Sequence, residues 1–296
     1  GSRIFLGGEA TVTGNVSAGK ESNIVIADAE ILRVYEDYKG SAGITLSGGN
    51  EKTRRFGQFV GDTQGRRLYS DQDNTLTAVI AKDKSLVWGD VAKTGSSDNT
   101  NRNGAGNMPD GQSGSANGKN TKPDGKSFKV GSKEYSDIGM AINDAGGSKI
   151  TMVSDGEWTG ELNDFYDKNI NIDGGGHTLK LDSVKYINRG STLKLSNVTV
   201  DQNGKCFKAM GTGHIILDKG AVLKNGGADF AGSISAEGNG CKVTLNPGSK
   251  ITGAKGKIGA GIATLSGASI ELLGGTIENG KAESGGAVHI ASGSKV

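Results

Sequence analysis

Gly213-His-Ile-Ile-Leu217-Asp-Lys-Gly220-Ala-Val-Leu223 and Cys241-Lys-Val-Thr-Leu245-Asn-Pro-Gly248-Ser-Lys-Ile251 share one template: an alternating strand, a glycine turn and a second short strand. Ala268-Ser-Ile-Glu-Leu272-Leu-Gly274-Gly-Thr-Ile277 follows the same template with one residue fewer. Leu217 to Leu245 is 28 residues and Leu245 to Leu272 is 27. A strand-turn-strand unit recurring at this period marks a solenoid, because one unit cannot cover its own apolar edge and must stack on its neighbours. The expected fold is therefore all-β, a parallel β-helix.

Working outward, Asn169-Ile-Asn-Ile172-Asp-Gly-Gly-Gly-His177 starts the run; Ile172 to Leu195 is 23 residues and Leu195 to Leu217 is 22. Before it, Phe128-Lys-Val-Gly-Ser-Lys-Glu-Tyr135 reads as a strand. Ser136 is then a helix N-cap, and Ile138, Ile142 and Ala145 share one helical face that Gly146-Gly147 terminates. A strand, a short amphipathic helix and the strand Lys149-Ile-Thr-Met-Val153 make an opening cap.

The template also occurs at the other end of the sequence, in Ile4-Phe-Leu6-Gly-Gly8-Glu-Ala-Thr-Val12-Thr-Gly-Asn15. Asn23-Ile-Val-Ile26 and Gly43-Ile-Thr-Leu46 continue it at shorter spacing. It fades into an aromatic mixture, and residues 47–91 are expected to close the stack, plugged by Trp88, Phe56 and Phe59. Residues 93–127 hold only Ala105, Met108 and Ala116 as apolar side chains. They cannot bury enough surface to offset ordering entropy, so a flexible linker is expected.

The organisation is then residues 1–2 as a cloning scar, 3–92 as final turns and closing cap, 93–127 as linker, and 128–296 as opening cap and main stack. Beginning and end are inverted. Val296 falls in the column of Val243, and Ile4 falls there too, so Ile4, Leu6, Ile290 and Val296 mark a stacking end. Residues 3–91 can complete their own chain as in a circular permutant, complete the next chain head-to-tail to give a fibre, or be one edge of a fragment from a tandem array.

Composition agrees with a narrow-cored solenoid. Gly is 51 of 296 residues, Pro only 3, aromatics 5% and apolar residues 34%. With 34 basic and 32 acidic residues the formal charge is +2, and no Lys/Arg run appears, so neither nucleic acid nor an anionic membrane is an expected partner. No apolar stretch is long enough to span a bilayer. Cys206 and Cys241 share parity with inward positions, Cys206 with Ile234 one turn on, and are expected as buried free thiols.

The carboxylates that could carry chemistry are Asp155, Glu157, Asp164, Asp167, Asp173, Asp182, Asp201, Asp218 and Asp229. None recurs one turn apart as a close pair beside an arginine, and Arg189 is the only arginine in residues 128–296. Asp173, before three glycines, reads as a turn residue. His177, His214 and His289 lie at different phases without metal-ligand spacing. Asn197, Asn225 and Asn279 end strands at similar phase and are expected as an internal Asn ladder. Arg54-Arg55 and Arg66-Arg67 are exposed rim charges that could meet an acidic glycan. No metal and no cofactor are expected.

Three stretches carry a resemblance: Tyr135-Ser-Asp-Ile-Gly-Met-Ala-Ile142, Ile172-Asp-Gly-Gly-Gly-His-Thr-Leu179, and Gly274-Gly-Thr-Ile-Glu-Asn279 with Ser284-Gly-Gly-Ala-Val-His-Ile290. The chain resembles right-handed parallel β-helix proteins of the pectate-lyase-like superfamily, and is similar in particular to long repetitive adhesin-like surface proteins of bacteria. Gly285-Gly-Ala-Val288 also looks like the Gly-Gly-Ala-Ile tetrapeptide of chlamydial polymorphic outer-membrane proteins. The resemblance implies a right-handed β-helix with a short capping helix. It implies a non-enzymatic extracellular, cell-surface module with structural or adhesive function, meeting a host or microbial glycan or protein. The alternative is a polysaccharide-degrading lyase or hydrolase on the same fold.

Overall fold

A computed structural model describes residues 3–26, 32–46, 56–60, 68–72, 76–81, 84–90, 125–159, 164–228 and 230–291. The alternating segments form a parallel β-solenoid of about 8 turns, nearly all-β with a single short helix among the described residues. Most of the linker expected at 93–127 lies outside the described residues, as do Val296, the side chain of Phe59 and the four arginines Arg54, Arg55, Arg66 and Arg67.

Each turn contributes a strand to three parallel ladders. The first ladder runs Lys149–Met152, Asn169–Asp173, Thr192–Ser196, His214–Leu217, Lys242–Leu245 and Ser269–Leu272. Its register pairs Ile172 with Leu195, Leu195 with Leu217, Leu217 with Leu245 and Leu245 with Leu272, the spacings read from the leucines. The second ladder starts at Gly156–Trp158 and reaches Thr276–Glu278; the third runs from Asp164–Phe165 to Val288–Ile290. Side chains alternate across a strand, so Ile172, Leu195, Leu217, Leu245 and Leu272 point inward, stack on one another and are buried, while Ile216 and Val222 take outward positions. Each inward side chain contributes roughly 1.5–3 kcal/mol.

A small fourth sheet lies to the side, in the loops between the second and third ladders. It contains Gly227–Ala228, Lys255–Ile258, Lys281–Ser284 and Val16–Ser17 in parallel, with Lys20–Glu21 antiparallel at its edge. Its strands are largely exposed, and no apolar alternation marks them.

At the opening end, Phe128–Val130 pairs antiparallel with both Lys133–Tyr135 and Lys149–Met152. The helix Ile138–Ala145 buries Ile138, Ala141, Ile142 and Ala145. Its N-cap is Asp137 rather than Ser136: the Asp137 carboxylate accepts from Met140 N, and Asp137 itself has the extended backbone an N-cap needs. At the far end, Ser85–Asp90 runs antiparallel to Gly57–Val60 and to Leu76–Ile80. Phe56 and Trp88 stack there at 4.3 Å, both buried. An antiparallel hairpin with two aromatic rings covers the parallel edge that a bare turn leaves open.

Candidate functional site at the seam and the lateral face

The ladders do not end at residue 291. Arg3–Leu6 pairs parallel with Ser269–Leu272, placing Ile4 on Ile270, Phe5 on Glu271 and Leu6 on Leu272. Thr11–Val12 pairs with Thr276–Glu278, Val16–Ser17 with Lys281–Ser284, and Ile24–Ile26 with Val288–Ile290. Leu32–Tyr35, Ser41–Leu46 and Leu68–Ser70 add further turns. Ser41–Leu46 pairs through Ser41 and Ala42 with the second ladder and through Ile44 to Leu46 with the third, so these two ladders fuse near the closing end.

The stack thus runs across a seam between strands distant in sequence. Ile4, Leu6 and Ile290 are fully buried within it, Ile290 between Thr264 and Ile26. Ile4 shares the column of Ile270 and Val243. Backbone bonds close the junction: Arg3 N to Ala268 O at 2.9 Å, Gly7 N to Leu272 O at 2.8 Å, Thr11 N to Gly275 O at 3.0 Å and Val288 N to Asn23 O at 2.9 Å. Gly286 is required there, since a Cβ on it would lie 1.2 Å from Ser22 O.

A buried polar chain crosses the seam. Asn15 Nδ2 donates to Ile277 O at 3.1 Å and to Asn23 Oδ1 at 3.0 Å, while Asn15 Oδ1 accepts from Gly280 N at 2.9 Å. Asn23 donates through N and Nδ2 to Asp71, both at 2.8 Å, and Thr45 Oγ1 donates to Asp71 at 2.9 Å. Burial pushes the Asp71 carboxyl above its usual range despite these donors, and Glu21 adds to the shift.

On the outer side of the first ladder, four side chains from three turns meet. His214 Nε2 lies 3.0 Å from Thr244 Oγ1, which donates to Glu271 Oε2 at 3.3 Å; Lys242 Nζ is 2.7 Å from Glu271 Oε1. Burial, then Lys242, hold the His214 imidazole below its usual range. One turn on, Phe5 and Tyr35 stack at 5.7 Å. Elsewhere the outer carboxylates pair with lysines of the adjacent turn: Asp173 with Lys149, Asp218 with Lys194, Asp201 with Lys224 and Glu278 with Lys250. Asp173 and Asp218 are held below the carboxylate range, Asp218 chiefly by the Lys194 bond, Asp173 by bonds from Gly175, Asn197 and Lys149 that outweigh burial. Among the described residues no group of three or more His, Cys, Asp or Glu is arranged for a metal.

Several expected residues sit differently. Asn197, Asn225 and Asn279 do not form an internal ladder; they are exposed corners with φ of 47°, 57° and 56°. Asn tolerates that conformation because its short polar side chain bonds locally: Asn197 to Asp173 and Asn225 to Asp201, each at 3.2 Å. The interior amides are instead Asn15, Asn23, Asn188 and Gln202. Cys206 and Cys241 are free and buried, but Phe207, not Cys206, aligns with Ile234. His177 lies 3.5 Å from Asp155 at a corner, and His289 Nδ1 is buried without a hydrogen-bond partner.

No sequence pattern singled out Lys185. It is fully buried in the third-ladder column that continues as Phe207 and Ile234. Its Nζ reaches Asp182 Oδ1 and Ser183 Oγ, each at 2.8 Å, and lies 5.9 Å from the Trp158 ring centre. The short spacing of Asp182-Ser183-Val184-Lys185 is the one signal that points to it. No known family, curated protein or solved structure matches the chain.

Proposed function

We propose that the chain is a non-enzymatic structural and adhesion module of a bacterial cell surface, a rigid segment whose lateral face meets a host or microbial glycan or protein. The observation that supports this reading is the engagement of the outer carboxylates. Asp173, Asp201, Asp218, Glu271 and Glu278 each bridge to a lysine on a neighbouring turn. Exposed pairs of this kind give about 0–1 kcal/mol each, so their role is to tie turn to turn along a rod. A glycosidic-bond enzyme needs a carboxyl held for proton transfer at the scissile bond. The similarity to adhesin-like β-helix proteins points the same way and carries the pectate-lyase-like kinship with it as part of the proposal.

One observation favours the second reading, a polysaccharide-degrading enzyme: the hydrogen-bonded run His214–Thr244–Glu271 on the outer side of the first ladder. A panel of acidic and neutral polysaccharides separates the two, read by reducing ends and by absorbance of unsaturated products. The adhesion reading expects no turnover, and saturable binding to one glycan or surface protein. Turnover that Glu271→Gln abolishes while the melting temperature holds would overturn it.

A further inference from the structure

The seam is held by many specific contacts and no covalent one. Among the described residues both cysteines are free and both lie in the 125–291 part, so residues 3–90 are joined to that part only through residues 91–124. The turn Ser269–Leu272, Thr276–Glu278, Lys281–Ser284 and Val288–Ile290 presents a parallel edge that residues 3–26 cover. That edge repeats what the previous turn offers: Val243 and Leu245 receive Ile270 and Leu272 as Ile270 and Leu272 receive Ile4 and Leu6.

Three features fit residues 3–26 to this edge, two of them made by side chains. Asn15 fits over Gly280, bonding its N–H at 2.9 Å, in space a side chain at 280 would occupy. Ser17 Oγ donates to Glu283 O at 2.9 Å. Gly286 leaves the place where Ser22 O sits. None of these depends on which copy supplies the strand.

We propose that this edge is a docking surface for residues 3–90 of a second copy, so that two copies complete each other's stacks. The same strand pairings form whether the segment comes from its own chain or from a second copy, and only the linking segment decides between the two forms. The ten steps from Phe128–Val130 to Ser85–Asp90, the strands that flank the linking segment, span about 48 Å at ~4.8 Å each. The 34 residues 91–124 can extend to at most about 115 Å. The segment is long enough to cross its own stack, so closure within one chain competes with exchange between copies, the balance being set by an effective concentration. Closed monomers prevail below it and exchanged pairs become common as it is approached.

The test uses full-length variants that each carry one added cysteine, in a background where Cys206 and Cys241 are replaced by alanine. Arg3 and Ser269 are parallel partners on the outer face, at a spacing within the roughly 4.4–6.8 Å a disulfide accepts. Arg3→Cys and Ser269→Cys proteins are mixed, unfolded, refolded over a concentration series and oxidised. A covalent heterodimer in excess of the homodimers that each variant forms alone requires a segment of one copy docked on the other. Its share of chains is expected to rise roughly in proportion to the refolding concentration from 10 μM upward. The doubly substituted protein, refolded dilute, reports closure within one chain. If it closes and the mixture gives no heterodimer at 1 mM, exchange is refuted. If the double variant never closes, the seam itself is refuted, and the docking surface with it.

Discussion

Asn15→Ala removes the side chain that ties the two parts of the stack together. Its Nδ2 donates to Thr13 O, Asn23 Oδ1 and Ile277 O, at 2.8, 3.0 and 3.1 Å, and its Oδ1 accepts from Gly280 N at 2.9 Å. The residue is fully buried, so water does not replace these partners. An orphaned Gly280 N–H costs about 1–3 kcal/mol, and each other lost bond about 0.5–1.5. Because Asn23 Oδ1 still accepts from Asn15 N, the total comes to about 2–6 kcal/mol. At roughly 2 °C per kcal/mol for a chain of this size, the melting temperature should fall by about 4–12 °C. Gly280→Ala probes the same spot from the other side, since its Cβ would lie 2.9 Å from both Asn15 Oδ1 and Ala260 Cβ. It should cost about 1–3 kcal/mol by overpacking. In the double variant the Asn15 clash is absent, so the effects should sum to about 1 kcal/mol less than their total. Calorimetry on the four proteins reads this directly. An Asn15→Ala protein melting within 1 °C of wild type, or strictly additive effects, would refute the burial of Asn15 against Gly280.

Lys185→Met should leave the melting temperature unchanged or raise it, by up to about 2 kcal/mol of stability, because an apolar side chain suits the column better than a desolvated ammonium. Asp182→Ala, which strips a partner from that ammonium, should lower stability by about 1–3 kcal/mol; a larger loss for Lys185→Met than for Asp182→Ala would reverse this view. His214 and His289 are both held below the ordinary value of 6.5 by burial, with Lys242 assisting at His214. The unfolded chain therefore takes up more protons below that value, and stability should fall as pH drops through 6.5 towards the folded values. His289→Leu should flatten that slope in urea midpoints measured from pH 7.5 to 5. Burial pushes the Cys206 thiol up to about 11 and raises Cys241 as well. Neither should react with a thiol reagent at pH 8 until denaturant is added, when both should.

The spacing of Leu195, Leu217, Leu245 and Leu272 was legible because a solenoid column demands one apolar side chain per turn, and a shift of one residue would turn every strand inside out. The shared template at Ala268–Ile277 and Arg3–Val12 made the phase of the seam legible too. Positions governed by a single neighbour were not. Asn15 and Gln202 are interior because Gly280 and Gly226 leave them room, and nothing local distinguishes them from corner residues such as Asn225. Lys185 occupies an apolar column because Asp182 and Ser183 turn back to meet its amine. Asp71, 48 residues from Asn23, is joined to it only by the stacking of later turns. The lateral sheet escaped because Lys255-Gly-Lys-Ile258 and Lys281-Ala-Glu-Ser284 have no buried face to impose alternation.

The central claim is that residues 3–90 dock on the turn that ends at Ile290. A specific protease site placed between residues 91 and 124, cut in the folded protein, tests it most directly by size exclusion at micromolar concentration. The account predicts that the two pieces elute together at the volume of the uncut protein and separate only in denaturant. Elution of the 125–296 piece on its own under native conditions would contradict it.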